Sequence, residues 1–277
     1  MKIIGDATPD GWNHDHALLM NRSAENENVF VYTGYLKADA EFKFTTSNDW
    51  IEDMEYRNPN EDPYQIDNLQ AGGNDSKFKV RESGNYNVVC DIANLTVSIE
   101  KAEYQENPIR YNSLYLIGDA TSANWDLPLA VPMQQDATDP FLFTVKTDLK
   151  SLEVAEPEIM AADETRYPSF KIAVNPHVGY GQYFFHPEAD NQEKLTLDGT
   201  DDRQWTVPST DTYIVKAHLL DNSISIAKAT AATVALPEAD LNETAPVYYN
   251  LQGVRVANPT NGLYIEVRGN RVTKIRL

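Results

Sequence analysis

The chain has 277 residues, enough for about two domains, and its apolar (42%) and aromatic (10%) content suits a folded protein and excludes a disordered one. Its net charge of −19 repels phosphate groups, which makes nucleic acid and anionic lipid poor partners for the chain as a whole. The single cysteine, Cys90, excludes an internal disulfide, and no apolar run approaches the roughly 18 residues of a membrane-spanning helix.

The first residues predict a strand and contain no export signal. Residues 1–5 read Met-Lys-Ile-Ile-Gly, without the longer apolar segment and cleavage site of a signal peptide. A processed N-terminus would account for this. Cys90 lies in an alternating segment, which predicts a buried structural thiol.

A motif at the start of the chain occurs twice. Ile-Gly-Asp-Ala-Thr at residues 4–8 recurs at residues 117–121, and Trp12 recurs as Trp125 at the same offset of 113 residues. Such a repeat is far longer than the roughly 20–50 residues of a solenoid unit. It predicts the duplication of a whole domain.

The correspondence continues downstream at a larger offset. Phe42-Lys43 maps to Phe170-Lys171 at an offset of 128, and Phe78 maps to Trp205 at 127. The second copy therefore carries about 15 extra residues between 150 and 168.

Each copy is a series of short segments in which apolar and polar residues alternate. This period of two predicts half-buried strands, and the Asn, Asp, Gly and Pro clusters between them predict turns. The predicted strands are 29–32, 41–44, 77–80, 86–92 and 95–99, then 114–117, 141–145, 170–174, 203–207, 213–219 and 223–226. A short helix is possible at 149–162. The pattern predicts an all-β fold of tandem immunoglobulin-like or starch-binding-type antiparallel β-sandwiches.

Three domains are predicted, at residues 1–104, 112–228 and 245–277. Residues 104–111 and the Ala-rich residues 229–244 are the predicted linkers. The last segment contains five basic residues and one acidic residue from 246 onward, unlike the acidic remainder. Its alternating runs and Gly-containing turns predict a small β meander of three or four strands.

The motifs of both copies resemble those of the SusE/SusF-type outer-membrane starch-binding proteins. The resemblance is carried by residues 114–121 with Trp125, and by residues 3–8 with Trp12 and residues 42–44; the copies cover most of residues 1–228. It implies non-catalytic modules that bind starch-like α-glucans for capture and uptake, without a cofactor or metal. It also implies a location at the cell surface or outer membrane, or secretion, and partners among outer-membrane uptake proteins.

The C-terminal segment has a resemblance of its own. Residues 249–256 and 262–265 resemble C-terminal modules of exported proteins from the same bacterial group, some of which are sorting signals. This resemblance implies export.

In the first copy, the family pattern of an aromatic residue, a lysine and an amide points to Trp12, Lys43 and Asn74. Trp50, beside turn residues, is a further candidate platform for a sugar ring. Ordinary roles remain open for all four: packing under a loop for Trp12, a solvated lysine for Lys43, a turn for Asn74 and the core for Trp50.

In the second copy, the aligned positions are Trp125, Lys171 and Asp201, and the acidic Asp201 departs from the amide. Tyr180 lies between two glycines, which leave a ligand room to approach. Tyr183 belongs to the same aromatic group. The sequence thus predicts a second glycan site built on these five residues.

Other functions have weaker support in the sequence. No carboxylate pair is singled out for a glycosidase, and no Gly-x-Ser-x-Gly motif occurs. Metal binding by His14-Asp15-His16, or Ca²⁺ binding by the loop 58–67, competes with ordinary solvated loops. A structural subunit that binds a partner protein and an accessory region of a glycoside hydrolase remain the alternatives to a glycan-binding protein.

Overall fold

A computed structural model describes residues 1–151, 168–197, 202–229, 247–249, 255–257, 259–260, 262–268 and 271–276 of the chain. Several features expected from the sequence lie largely or wholly outside these residues. They are the possible helix at 149–162, most of the extra residues of the second copy, the linker 229–244 and Asp201. Within them, no helix is long and apolar enough to cross a membrane. The chain divides into two compact units, Met1–Ala229 and Thr230–Leu277.

The first copy forms two antiparallel sheets. Its strands are β1 (Lys2–Ile4), β2 (Leu18–Leu19), β3 (Asn21–Arg22), β4 (Val29–Leu36), β5 (Lys43–Thr45), β6 (Glu55–Arg57), β7 (Gln70–Ala71), β8 (Gly84–Asp91) and β9 (Thr96–Lys101). One sheet has the order β2-β1-β5-β6-β7 and the other β3-β4-β8-β9. A 3₁₀ turn, Glu52–Met54, precedes β6.

The strands of the second copy join into one nine-stranded sheet. They are β10 (Leu114–Ile117), β11 (Val131–Gln135), β12 (Leu142–Leu149), β13 (Ser169–Ala173), β14 (Phe184–Glu188), β15 (Asn191–Leu197), β16 (Trp205–Thr206), β17 (Asp211–His218) and β18 (Ser223–Lys228), with a 3₁₀ turn at Leu127–Leu129. Their order is β10-β11-β12-β17-β18-β15-β14-β13-β16, and β10 also pairs with β13. Among the residues of Met1–Ala229 that the structure describes, no strand pair joins the two copies. The predicted all-β fold of tandem sandwiches is confirmed.

One predicted strand is wrong. Residues 77–80 pair only at two isolated bridges, Phe42 with Phe78 and Ala38 with Val80. The apolar residues of this segment alternate because Phe78 and Val80 are buried. The segment is not a strand, because it pairs with its neighbours only at these two bridges. Conversely, β11, β14 and β15 were not among the predicted strands. β11 contains Pro132, a residue that argues against a strand.

Aromatic side chains at repeated positions fill the core. The rings of Phe42 and Phe78 lie 5.7 Å apart, as do the corresponding rings of Phe170 and Trp205. Cys90 is fully buried in β8, and burial raises the pKa of its thiol. The core is thus built in the same way in both copies.

The repeated Gly-Asp-Ala-Thr motif forms a turn that ties two strands together. In the first copy the Thr8 hydroxyl donates to the carbonyl of Gly5 at 2.8 Å. The Asp6 carboxylate accepts from the backbone of Glu41 at 2.8 Å, and the backbone of Ala7 donates to the Glu41 carbonyl at 3.1 Å. These bonds hold the end of β1 against the start of β5.

The second copy makes the same bonds with the corresponding residues. The Thr121 hydroxyl donates to the Gly118 carbonyl at 2.8 Å, and the Asp119 carboxylate accepts from the backbone of Ser169 at 2.7 Å. Gly118 has φ +144, and an added Cβ would lie 2.1 Å from the Ser169 carbonyl oxygen. Glycine is therefore required by both conformation and space.

Replacement of this glycine should destabilise the protein strongly. We expect Gly5→Ala and Gly118→Ala each to lower the free energy of unfolding by at least about 1–3 kcal/mol, because the Cβ strains the backbone and meets a neighbouring carbonyl. Urea unfolding of the purified variants measures this. Gly179→Ala is the control, since an added Cβ there has no neighbour within 4 Å. Equal stability of all three variants would contradict the role given to the turn.

The C-terminal unit contains a four-stranded antiparallel sheet. Its strands are β19 (Val247–Tyr249), β20 (Arg255–Val256), β21 (Leu263–Arg268) and β22 (Arg271–Arg276). The predicted small β module is therefore present, but the order β20-β19-β21-β22 is not that of a simple meander, because β21 pairs with β19.

Candidate functional site

Two tryptophans of the first copy lie over a buried lysine. The pairing of β1 with β5 puts Ile4 opposite Lys43, and the loops that follow these strands carry Trp12 and Trp50. The two indole rings are 6.3 Å apart, and the Lys43 Nζ atom lies 5.8 Å from the Trp12 ring and 4.9 Å from the Trp50 ring. Trp50 is 51% exposed although Lys43 is 3% exposed. An exposed aromatic face thus rests on a buried positive charge.

Carboxylates compensate the charge of the buried lysine. Lys43 donates to Glu55 at 2.6 Å and to Asp75 at 3.0 Å, and Arg57 also donates to Glu55. Burial alone would raise the pKa of Glu55, but the hydrogen bonds from Lys43 and Arg57 outweigh burial and hold that pKa below its ordinary value. A buried charge is tolerated only when it is paired in this way.

A depression of about 490 Å³ opens beside Trp50. It is lined by Lys43, Trp50, Glu52, Glu55, Arg57, Gly73, Asn74 and Asp75. Asn74 is exposed at its rim. The arrangement offers one apolar ring face together with amide, carboxylate and cationic groups, which are the groups that can bind a polar ligand with an apolar face.

His14 packs against Trp50, the exposed ring of this site. Its ring packs edge-on against Trp50 at 4.2 Å and is buried. Burial lowers the pKa of His14, and the nearby charge of Lys2 lowers it further. His16 instead stacks on Tyr183 at 3.5 Å, so the two histidines of the proposed metal motif serve different contacts. Within the described part of the chain, no three His, Cys, Asp or Glu side chains form a possible metal site.

The second copy places the corresponding residues in a similar group. Lys171 pairs with Asp202, and its Nζ atom lies 5.9 Å from the Trp125 ring and 4.7 Å from the Phe184 ring. Tyr180 stacks on Phe184 at 5.7 Å, and its hydroxyl donates to the Trp125 carbonyl. Tyr180 is 54% exposed, so it presents a ring face to solvent.

The two sites differ at one strand position. Thr45 pairs with Glu55 in the first copy, and Ala173 pairs with Phe184 in the second, so Phe184 occupies the place of Glu55. The first site therefore contains a buried ion network, whereas the second contains an aromatic stack. We expect the second site to be the more apolar of the two.

The structure groups most of the residues singled out from the sequence. Trp12, Lys43, Trp50 and Asn74 lie together in the first copy, and Trp125, Lys171 and Tyr180 in the second. Lys43 is buried and paired, so it is not an ordinary solvated lysine. Tyr183 lies apart from this second group, against His16, and Asp201 lies outside the described residues.

Four charged residues of these groups were missed from the sequence. They are Glu55, Arg57, Asp75 and Asp202. Asp75 and Asp202 are related by the repeat offset of 127 residues, and each pairs with the lysine of its copy. The repeat offset could have identified the two aspartates. Glu55 and Arg57 could not be identified in this way, because their place in the ion network of Lys43 depends on the pairing of β6, which the sequence does not show.

Comparison with known protein families found a match for the first copy. Residues 1–98 match the family described as SusF/SusE starch specific CBMs, that is, carbohydrate-binding modules. The resemblance is therefore confirmed for the first copy. A search of the curated proteins found no match.

One solved structure provides a further comparison. The crystal structure of SusF from Bacteroides thetaiotaomicron is 16% identical to this chain, with a TM-score of 0.31, and the match covers 83% of this chain. The match covers 48% of the SusF chain, so this chain corresponds to about half of that protein.

Loss of the buried lysine should destabilise the first copy. We expect Lys43→Met to lower the free energy of unfolding by about 3 kcal/mol, because it leaves buried Glu55 with one cationic partner fewer. Lys171→Met is the matched control. Its partner Asp202 is 71% exposed, and we expect a loss of about 0–1 kcal/mol. Chemical denaturation measures both values, and equal losses would show that burial of the network is unimportant.

Asp75 should contribute stability that depends on pH. Burial alone would raise the pKa of Asp75, but hydrogen bonds from Lys77 and Lys43 outweigh it and lower this pKa from 3.8 to about 2. The contribution should therefore be complete above about pH 4 and disappear as the pH falls to about 2. Asp75→Asn should weaken the pH dependence of unfolding in this window. An unchanged slope would contradict the pairing.

Proposed function

We propose that this chain is a non-catalytic protein that binds starch-like α-glucans through one aromatic platform in each copy. The observation that carries the proposal is an exposed aromatic ring in the loop after the lysine strand of each copy. Trp50 lies over Lys43, and Tyr180 stacks on Phe184, whose ring lies 4.7 Å from the Lys171 Nζ atom. The match of residues 1–98 to starch-specific carbohydrate-binding modules supports the same conclusion.

The chemistry of the site suits a pyranose ring. A sugar presents apolar C–H groups on its face and hydroxyl groups around its edge. Trp50 offers a flat apolar surface, and Asn74 and Asp75 offer hydrogen-bonding groups beside it. Because His14 packs against Trp50, the ring is held in place before a ligand arrives, which lowers the entropic cost of binding.

The alternative of a structural subunit expected these aromatic residues in the core. Trp50 and Tyr180 are instead more than half exposed, which favours a binding surface. An accessory region of a glycoside hydrolase would use the same platforms and, on its own, would bind glycans without cleaving them. The binding proposal therefore covers both the free protein and this alternative.

The location and organisation of the protein are proposed on the resemblance. We place it at the cell surface or outer membrane, or outside the cell, where it captures glycans for uptake with outer-membrane uptake proteins. We retain 1–104, 112–228 and 245–277 as its domains, and we propose that the last of these serves export.

Native affinity electrophoresis tests the binding proposal. We expect gels that contain starch or pullulan to retard the chain, and gels with dextran, xylan or no polysaccharide to leave its mobility unchanged. Trp50→Ala and Tyr180→Ala should each weaken retardation at least tenfold in apparent affinity, a loss of about 1.4 kcal/mol per tenfold change.

The control must separate binding from a general loss of apolar surface. Leu220→Ala removes an exposed apolar side chain outside both groups and should leave retardation unchanged. Retardation by another glycan would retain glycan binding and overturn the α-glucan specificity. If no polysaccharide retards the chain, the proposal is wrong.

A further inference from the structure

The loops that carry the two platforms contact each other. The Asn48 side-chain amide of the first copy donates to the His177 carbonyl of the second at 2.6 Å. Asn48 precedes Trp50 by two residues, and His177 precedes Tyr180 by three. These loops follow β5 and β13, which are corresponding strands. The two copies thus meet beside their candidate sites.

A second contact between the copies is aromatic. His16 stacks on Tyr183 at 3.5 Å, and its Nε2 atom lies 3.2 Å from the Gly181 carbonyl oxygen. Two residues earlier, His14 packs against Trp50. The short segment 14–16 therefore contacts the platform of the first copy at one end and the loop of Tyr180 at the other.

The packing at this boundary is close. An added Cβ on Gly181 would lie 2.8 Å from an Asp15 carboxylate oxygen. Asn175, which is 1% exposed, donates to the Ala17 carbonyl at 3.4 Å. Arg110 pairs with the buried Asp10 and also lies over the Tyr183 ring. Buried polar contacts of this kind favour one fixed arrangement of the copies.

The distance between the platforms is limited by these contacts. Trp50 lies two positions after Asn48 and Tyr180 lies three positions after His177. The intervening chain therefore spans at most about 18 Å, plus one side-chain hydrogen bond. We infer that the two copies present one composite face, on which a single α-glucan chain occupies both platforms. This inference rests on the proposed function.

A composite face has a measurable consequence. Once a glycan is bound at one platform, the other platform meets it at a high effective concentration, and the total affinity can exceed that of either site by about 10²–10⁴. The fixed boundary strengthens the effect because little freedom is lost on the second contact. A short oligosaccharide fills one platform and gains nothing.

Calorimetric titration of the full chain with linear α-1,4-gluco-oligosaccharides of increasing length tests the inference. We expect two short ligands to bind per chain. Above a threshold length, we expect one ligand per chain and an affinity at least tenfold higher. Trp50→Ala and Tyr180→Ala should each remove this increase and leave one site for short ligands.

The boundary itself is tested with His16→Ala combined with Asn48→Ala. This variant should keep its affinity for short ligands and lose most of the increase for long ones. Two independent sites at every length would overturn the composite face and leave the proposed function intact. A single site at every length would overturn the composite face and would also show that one of the two platforms does not bind. If no oligosaccharide of any length binds, the proposed function is itself wrong, and the inference with it.

Discussion

The close backbone approach at Gly5 and Gly118 determines where the other residues of each candidate site lie. At this point the end of the first strand of each copy touches the chain that enters the strand of the site lysine. The turn then directs the following loop across that strand, so that Trp12 lies over Lys43 and Trp125 over Lys171 at nearly equal distances, 5.8 and 5.9 Å. A side chain on either glycine would separate these partners. The repeated motif is therefore a condition for the site as well as for the fold.

On this common frame the two copies have diverged in their charges. In the first copy, the buried lysine forms an ion network with Glu55 and Arg57, and two tryptophan rings lie over it. In the second, Phe184 replaces Glu55, and Lys171 lies near the aromatic rings of Trp125 and Phe184 and pairs with the exposed carboxylate of Asp202. A duplicated module can thus keep its backbone geometry while the polarity of its binding surface changes.

Much of the fold was predictable because it depends on local patterns and on the repeat. Alternation identified most of the long strands, and it separates Lys43 from the core phenylalanines on either side of it. The failures share one cause, which is that pairing partners are not encoded locally. Residues 77–80 alternate but have no continuous neighbour, and the burial of Lys43 depends on Glu55 in a strand of three residues.

The contact between the copies also could not be predicted from the sequence. Tyr183 was a candidate platform because it lies near Tyr180 in the sequence. Its ring instead stacks on His16, whereas the ring of Tyr180 stacks on Phe184. Asn48 and His177 carry no motif, and only the packed arrangement shows that they meet. Residues that join two modules are selected for mutual fit, so single-chain patterns do not reveal them.

The four tryptophans allow one direct test of the central claim that exposed aromatic platforms bind α-glucan. Trp12, Trp50 and Trp125 lie in the candidate sites, whereas Trp205 is 1% exposed in the core and donates its indole N–H to Gln192 at 2.9 Å. We would follow the four indole N–H signals by NMR during titration with maltoheptaose. The account predicts that the signals of the three site tryptophans move and that the Trp205 signal stays in place. Unchanged signals for all four, or an equal shift of Trp205, would contradict it.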